Sequence, residues 1–455
     1  MMRYLPHTPE EIADMLRAVG APDVDALFAA VPPEARYKKE LDVGPALDEP
    51  GLMRHLGELA ARNTGAGKIS FLGAGAYDHH IPPAVDQLLL RGEFYTAYTP
   101  YQPEVAQGTL QAIFEFQTTV SEIFGLPLAN ASLYDGASAT AEAVLMARRL
   151  TRREKVVLSE GVHPQYRDVV ATFLRSAGLA EGGLVTVPVG ADGADDVEAL
   201  AKALSPEVAA VVVGYPSFFG TVGDVRAVVE RARAAGAQVV TATADPYALA
   251  LLESPGALGA DIAVGEGQPI ACPPQFGGPG VGLFACRESR ETLQQIPGRL
   301  CGRTVDKNGQ TGYVLTLVTR EQFIRRERAT SNICTNQGLL ALSFTIRAAL
   351  LGKRGFVETA RHCLAKAEYL KAELAKLPGY ELAYPQAKTF NEFALRVPGG
   401  DAAAVVERAR HQGVLAGYPL GEVDPARKGQ LLVAVTERHT RHDLDRLAEV
   451  LGQIG

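Results

Sequence analysis

Small residues and hydroxyls open a predicted helix directly after Asp135. The run from Gly136 to Thr140 reads GASAT, and apolar residues continue at helical spacing to residue 150. Free backbone N–H groups at such a helix start, together with the positive end of the helix dipole, suit a phosphate group. Ser138 is therefore a candidate phosphate ligand, although close helix packing would explain the same small residues.

Asp245 ends an apparent strand at residues 238–245, which places its carboxylate at the sheet edge where ligands bind in open α/β folds. In an enzyme that uses pyridoxal phosphate, an aspartate in this position would hold the pyridinium proton. Capping a helix is its alternative role. His163 follows a predicted strand at residues 156–158 and is a candidate to stack on a cofactor ring, with a turn before Pro164 as the alternative.

The stretch after the next strand has the glycine-rich turn of such an enzyme but contains no lysine. A pyridoxal enzyme with this order of elements forms its Schiff base with a lysine between that strand and the turn. After Lys202 the next lysine is Lys307, well past the turn at residues 276–282. The predicted pocket therefore has no covalent anchor for a cofactor.

A second glycine-rich run, residues 72–78 (LGAGAYD), partly matches a dinucleotide-binding loop. Asp78 replaces the third glycine and would repel a pyrophosphate, and two prolines soon afterwards interrupt the helix that the motif requires. A tight turn is the favoured interpretation. His79 and His80 are not expected to share a metal ion, because adjacent side chains on extended chain point in opposite directions.

The elements that must position these residues follow a strand–helix pattern. Between residues 155 and 286, short β-branched runs alternate with Ala- and Arg-rich helical stretches, which indicates an α/β fold with a mostly parallel sheet. After residue 335, long apolar helices at 337–351 and 355–377 precede short strands and helices. The sequence predicts three parts: an N-terminal helical extension (1–62), a large α/β domain (63–335) and a small C-terminal α+β domain (336–455).

Composition narrows the class of protein. The chain has 455 residues, of which 47% are hydrophobic, and a formal net charge of -7, with both signs interspersed. Nucleic acid is not expected as a partner, because its binding depends on neutralising phosphates. No apolar stretch is long enough for a membrane span or a signal peptide, so we expect a cytoplasmic location. Five scattered cysteines indicate neither a disulfide framework nor a zinc site.

Four motifs are similar to those of one enzyme family. They are residues 71–82 (FLGAGAYDHHIP), 96–108 (TAYTPYQPEVAQG), 276–282 (FGGPGVG) and 325–337 (RRERATSNICTNQ). Together with the length, they make the chain resemble the subunit 1 (alpha) branch of the two-subunit glycine dehydrogenases (decarboxylating), the P-proteins of the glycine cleavage system. The resemblance covers essentially the whole chain.

The resemblance implies a pyridoxal-phosphate-dependent transferase-like (fold type I) large domain and a lysine-bearing beta subunit. Superposing the glycine-rich turns of the two subunits sets Gln268 opposite that lysine, and an amide cannot form a Schiff base. Glycine would be decarboxylated on pyridoxal phosphate held by the beta subunit, and its aminomethyl group would pass to the lipoyl arm of the H-protein. An alpha2beta2 assembly is expected.

The resemblance also directs attention to residues that could reach the partner's active site. Tyr95, Tyr98 and Tyr101 are spaced by three in a segment unlike a regular helix, and loops often carry functional side chains. Asn332 in the SNICT motif is a further candidate for contact with substrate or partner. Simple filling of an interface is the alternative for each.

Two other functions stay open from the sequence. One is a self-sufficient homodimeric pyridoxal enzyme that uses another lysine, such as Lys307, and the other is a purely structural scaffold subunit.

Overall fold

The structure, a computed structural model, describes residues 6–37, 39, 41–65, 67–178 and 182–455. The chain divides into two compact units, residues 1–66 and 67–455. The boundaries that the sequence predicts at residues 62 and 335 stay predictions.

The N-terminal unit is built on two helices, α1 (Pro9–Val19) and α2 (Glu49–Ala61). Thr8 and Glu11 form a capping box at the start of α1, and Asp48 caps α2. None of the described residues of this unit is buried, and large apolar side chains such as Leu41 and Val43 are exposed. The unit has no core of its own among these residues.

The second unit contains the remaining helices and strands. The helices are α3 (Pro83–Leu89), α4 (Gly92–Tyr95), α5 (Gln107–Phe124), α6 (Gly136–Thr151), α7 (Pro164–Ser176), α8 (Val197–Ala203), α9 (Val225–Ala234), α10 (Pro255–Leu258), α11 (Gln268–Ala271), α12 (Arg290–Gln295), α13 (Gln322–Arg325), α14 (Gly338–Leu374), α15 (Ala402–His411) and α16 (Arg441–Ile454). The strands are β1 (Ile69–Ser70), β2 (Leu128–Ala129), β3 (Lys155–Ser159), β4 (Leu184–Val187), β5 (Val208–Gly214), β6 (Gln238–Thr243), β7 (Ile262–Glu266), β8 (Gly282–Cys286), β9 (Leu300–Val305), β10 (Thr311–Thr316), β11 (Glu381–Leu382), β12 (Glu392–Arg396), β13 (Val414–Leu415), β14 (Tyr418–Pro419) and β15 (Gln430–Ala434).

A seven-stranded sheet lies at the centre of this unit, in the order β2-β8-β7-β6-β5-β3-β4. Strands β3 to β7 pair in parallel, whereas β8 and β2 at one side are antiparallel. The sequence of β5, VAAVVVG, is buried along its whole length, as is typical of a strand covered on both faces. The predicted α/β fold with a mostly parallel sheet is confirmed.

Helices cover both faces of the sheet and bring the functional loops to one edge. Alternate side chains of β3, such as Val156 and Val157, enter two separate apolar clusters. Helices α6 and α7 pack together over one face, and α6 contacts β5, β6, β7 and β8. Helices α5 and α9 pack on the sheet from the other side. Glu266 at the end of β7 meets the start of α6 at Gly136.

The C-terminal part of this unit has an antiparallel sheet of its own, in the order β11-β12-β15-β14. Helices α15 and α16 complete its core with residues such as Val405 and Leu447, which pack with Phe393 of β12. The segment that the sequence predicts as two helices is α14, interrupted at Gly352, where φ is 57° and ψ is 179°. Strand β1 pairs in parallel with β13, which fixes the start of the motif at residues 71–82.

The antiparallel hairpin of β9 and β10 was not expected from the sequence. Among the described residues, no helix combines the length and apolar character needed to cross a membrane.

Candidate functional site

A glutamate carboxylate lies at the start of α6, where the sequence predicts a phosphate. Glu266, the last residue of β7, is buried. It accepts hydrogen bonds from the backbone N–H groups of Gly136 (2.9 Å), Gln268 (2.9 Å) and Val281 (2.8 Å). Its charge faces the positive end of the helix dipole. The protein therefore supplies its own anion at this helix start.

The electrostatics of this position reflect two opposing effects. Burial raises the pKa of Glu266 to about 7, while the three N–H donors favour the charged form and oppose the rise.

Ser138 is engaged with Asp135: its N–H donates to the Asp135 carboxylate (2.7 Å) and its hydroxyl donates to the Asp135 carbonyl (3.1 Å). Asp135 is thus the N-cap of α6, Ser138 completes the capping box, and the Ser138 hydroxyl is not directed at a ligand.

Gln268 is the residue that the sequence predicts to stand opposite the lysine of the beta subunit. Its Oε1 accepts from the N–H of Tyr77 (3.2 Å), and its Nε2 donates to the carbonyls of Tyr77 (3.2 Å) and Cys272 (2.6 Å). The side chain is buried. Both of its donor hydrogens and its acceptor are therefore satisfied by backbone.

Asp245 follows β6 by two residues, at the sheet edge that the sequence predicts. Its Oδ2 accepts from the Asn391 Nδ2 (2.8 Å) and lies 3.1 Å from the Nε2 of His79. Its Oδ1 accepts from the N–H of Tyr247 (3.0 Å). The carboxylate is buried and has three protein partners.

His79 is a buried imidazole between two carboxylates. Its Nε2 lies against Asp245, and its Nδ1 is 2.6 Å from the Oε2 of Glu437. Burial alone would lower the pKa of His79, but Asp245 and then Glu437 outweigh this effect and raise it well above the ordinary value. Burial likewise opposes the effect of His79 on Glu437, yet the hydrogen bond lowers the pKa of Glu437 to about 2. His79 is therefore a buried imidazolium that donates to both carboxylates.

His163 precedes α7 and is held at both ring nitrogens. Its Nδ1 accepts from the N–H of Gln165 (3.2 Å), and its Nε2 lies 2.8 Å from the carbonyl oxygen of Ala74. Gly75 has a φ of 97°, in the left-handed region that favours glycine, and a Cβ on it would lie 2.6 Å from the His163 Nε2. The glycine-rich run at residues 72–78 thus allows a close approach to His163.

Residues 74–79, which we call the filling segment, contact three predicted pocket residues: His163, Asp245 and Gln268. The cavity that remains beside His163 and Asp245 measures about 30 Å³, room for roughly two water molecules at ~10–15 Å³ each. The residues present do not fit pyridoxal phosphate. The phosphate position holds the Glu266 carboxylate, protein fills the ring space, and Gln268 cannot form a Schiff base.

A second group of predicted residues lies on two loops. We call residues 95–102 the tyrosine loop and residues 329–337 the SNICT loop. Both border a groove of about 270 Å³ whose lining includes Tyr95, Tyr98 and Asn336. Tyr98 is 85% exposed and Asn332 is also exposed. Among the described residues, neither side chain has a hydrogen-bond partner.

Tyr101 differs from the other two tyrosines. Its hydroxyl accepts a hydrogen bond from Arg299 (3.4 Å), and its ring meets the edge of Phe323 with the ring centroids 6.2 Å apart. The structure therefore brings His163, Asp245 and Gln268 together at the filling segment, with Ser138 in the first turn of α6. It places Tyr98, Tyr101 and Asn332 on loops and Tyr95 at the end of α4. The roles predicted for all of them remain predictions.

Comparison with known proteins identifies the family. The chain matches the glycine cleavage system P-protein family over residues 2–451. A relative from Sorangium cellulosum (strain So ce56), named probable glycine dehydrogenase (decarboxylating) subunit 1, is 65% identical over 446 residues, 98% of each chain. The chain belongs to the glycine cleavage system P-protein family.

Solved structures agree with this P-protein assignment. One described as glycine decarboxylase (P-protein) of the glycine cleavage system, in inhibitor-bound form, is 43% identical, covers 100% of both chains and has a TM-score of 0.88. A C-DES mutant with glycine covalently linked to its PLP cofactor has a TM-score of 0.62 at 16% identity, over 86% of this chain and 97% of that one, and this likeness shows the fold alone. The predicted pyridoxal-phosphate-dependent transferase-like fold (type I) is confirmed.

Several residues of this P-protein pocket were missed by sequence reasoning. Glu266 stands two residues before Gln268, so a carboxylate beside a predicted phosphate site was visible in the sequence. For His79, the sequence indicates only that it is not expected to share a metal ion with His80. Its partner Glu437 is 358 residues away along the chain, and nothing local indicates that pairing.

Replacing His79 tests whether its charge holds the P-protein pocket closed. His79→Gln leaves Asp245 and the largely buried Glu437 without their shared cation, so we expect the free energy of unfolding to fall by about 3–5 kcal/mol. His80→Gln is the matched control, because the side chain of His80 is exposed, and we expect a change within about 0.5 kcal/mol. Urea unfolding followed by circular dichroism measures both. Equal losses would contradict the role of His79.

The stabilisation by His79 should depend on pH. The folded-state pKa of His79 lies above its unfolded value of about 6.5, so its contribution is complete below about pH 6.5 and is lost as the pH rises through the raised pKa. Glu437, lowered from 4.5 to about 2, contributes fully above about pH 4.5 and less as the pH falls towards 2. The stability difference between wild type and His79→Gln should therefore be largest between these limits. A difference that stayed constant from acid to alkaline pH would exclude the ion pair.

Restoring a lysine should not restore cofactor binding. Gln268→Lys supplies an amine, but the Glu266 carboxylate and the filling segment remain in place. After incubation with pyridoxal phosphate and borohydride, we expect no pyridoxyl group on the peptide that contains position 268, by mass spectrometry. The wild-type chain treated in parallel accounts for modification of surface lysines. Stoichiometric labelling at position 268 would show that the pocket is open.

Proposed function

We propose that this chain is the subunit of a two-subunit glycine dehydrogenase (decarboxylating) that does not hold the cofactor. Relatives with this degree of identity are named subunit 1 of that enzyme, which implies a second subunit. The observation that carries the proposal is the filled pocket: Gln268 replaces the lysine, and Glu266 takes the place of the phosphate. A chain built in this way requires a partner that supplies the cofactor.

In the proposed enzyme, the beta subunit binds pyridoxal phosphate through its own lysine. Glycine is decarboxylated there, and its aminomethyl group passes to the lipoyl arm of the H-protein. Two alpha and two beta chains form the assembly, which works in the cytoplasm. The net charge of -7 with both signs interspersed supports protein and small-molecule partners rather than nucleic acid.

The tyrosine loop and the SNICT loop are the proposed contribution of this chain to the partner's active site. Tyr98 is 85% exposed, and its ring would gain apolar burial when a partner covers it. Its hydroxyl and the amide of Asn332 are available to donate hydrogen bonds to the carboxylate of glycine. The loops would also exclude water from the site, which strengthens such hydrogen bonds.

The N-terminal unit supports the need for a partner. Its described residues bury nothing, yet they include exposed leucines and valines such as Leu41, Val43 and Val19. Large exposed apolar side chains on a segment without a core of its own suit burial against another protein. We propose that residues 1–62 act as an extension that packs against a neighbouring subunit.

The two alternative functions differ from this proposal in specific residues. A self-sufficient enzyme would need another lysine, but Lys307 is exposed between β9 and β10 and does not line the pocket. A purely structural scaffold would make no use of the exposed Tyr98 and Asn332 side chains. Purification of the isolated chain tests the first alternative: a yellow, borohydride-reducible adduct in stoichiometric amount would favour self-sufficiency.

Substitutions on the two loops test the proposed contribution. In the complex reconstituted with the beta subunit, Tyr98→Phe and Asn332→Ala should each lower kcat/KM for glycine about tenfold, the factor that ~1.4 kcal/mol of lost transition-state stabilisation gives. Release of carbon dioxide from labelled glycine measures turnover, and sedimentation measures assembly. Tyr369→Phe is the control, because that hydroxyl contacts Asp445 on α16.

The outcome separates an active-site role from a scaffold. Normal assembly with lowered turnover for the loop variants, and normal turnover for Tyr369→Phe, supports the proposal. Full turnover in both loop variants would establish the scaffold function instead.

A further inference from the structure

Arg299 is a buried arginine directly before β9, and it lies between the two loops. Its side chain is 3% exposed. No sequence motif includes it. Among the described residues, it is nevertheless the one side chain that donates hydrogen bonds to both the tyrosine loop and the SNICT loop.

Each N–H of this guanidinium has its own acceptor. Nη1 donates to the hydroxyls of Thr99 (2.9 Å) and Thr335 (3.0 Å). Nη2 donates to the carbonyl of Cys334 (3.0 Å) and the hydroxyl of Tyr101 (3.4 Å). These four acceptors come from the two loops, two from each.

The fifth donor of Arg299 pairs with a carboxylate, which balances the positive charge of the guanidinium. Nε of Arg299 donates to the Oε2 of Glu321 (3.4 Å), and both side chains are buried. An arginine has five N–H donors, so none is left for a substrate carboxylate or for the partner. Arg299 is therefore not a substrate-binding residue, and its effect on turnover must act through the loops that it holds.

Neither loop has a strand ladder to fix its position. Residues 97–102 and 331–337 have no regular secondary structure, and Thr99 is 200 residues from Arg299 along the chain. Tyr101 is held further, because the Arg299 guanidinium carbon lies 5.5 Å from the centre of its ring. The SNICT loop has further anchors, since the N–H of Cys334 donates to the Tyr134 hydroxyl and the Asn336 side chain donates to the Ala131 carbonyl. Arg299 is the side chain that ties the tyrosine loop to this anchored loop.

We propose that Arg299 is a positioning residue for the active site, which sets the distance and orientation of the tyrosine loop relative to the SNICT loop. This inference rests on the proposed function, in which Tyr98 and Asn332 reach the partner's site. A misplacement of about 1 Å can lower a rate by ~100-fold, so a small shift of either loop would be visible in turnover.

Lysine cannot replace this arrangement. Arg299→Lys keeps a positive charge beside Glu321 but has three donors on one atom, which cannot reach acceptors on both sides of a planar group. We expect the reconstituted complex to assemble, with kcat/KM for glycine lowered at least tenfold. Arg320→Lys is the matched control, because the Arg320 side chain is part-buried nearby and donates to the carbonyls of Gly298 and Leu317, not to the loops.

Two gentler variants keep the inference testable if Arg299→Lys fails to fold. Thr99→Val and Thr335→Val each remove one acceptor and leave the Arg299–Glu321 pair intact. Each should lower kcat/KM several-fold while the complex still assembles. Because both act through Arg299, neither should lower it further in the Arg299→Lys background.

The results distinguish this inference from the proposed function itself. If Tyr98→Phe and Asn332→Ala lower turnover while Arg299→Lys and both valine variants do not, the positioning role is overturned and the proposed function stands. If all of these variants turn over glycine normally, both fail. A loss of stability in Arg299→Lys, with full activity per assembled complex, shows a merely structural residue and also overturns the inference.

Discussion

A buried polar group must find a hydrogen-bond partner, and this constraint determines the pocket of the P-protein chain. The start of α6 presents free N–H groups and a positive dipole end inside the protein. Glu266 accepts from the first of them, that of Gly136, at the cost of a desolvation that raises its pKa to about 7. The neighbouring side chains also bond to groups of the protein. Gln268 bonds to backbone, and Asp245 bonds to His79 and Asn391.

The filled pocket supports our proposal that this chain contributes to activity through its surface loops. The pocket is closed by its own side chains. Their polar contacts reach the C-terminal part of the unit: His79 contacts Glu437, and Asp245, which follows β6, accepts from Asn391. The unsatisfied side chains of the predicted site lie instead on the tyrosine and SNICT loops. In our proposal, the fold of a cofactor enzyme supports these two loops, and the filled pocket has a structural role.

Local patterns were sufficient to predict most of the fold but only part of the site. The β-branched run of β5 and the apolar spacing of α6 identified their elements, because burial on both faces and helical periodicity leave a direct imprint on sequence. The missing lysine and Gln268 were equally readable. The pairing of His79 with Glu437 was not, because it joins residues 358 positions apart through tertiary packing. His79 and His80 do point to buried and exposed sides, as extended chain requires.

Arg299 shows the same limit of sequence-based prediction for a residue with a proposed functional role. Its neighbours in sequence, Gly298 and Leu300, suggest only the start of a strand, and no motif includes it. Its importance comes from geometry: a planar group with five donors is the one side chain that can satisfy two irregular loops and a carboxylate at once. Loops that lack ladder hydrogen bonds gain order only from such side chains, since backbone conformational entropy otherwise keeps them mobile. In our proposal, the partner's active site therefore depends on Arg299, a residue whose five donors all bond within this chain.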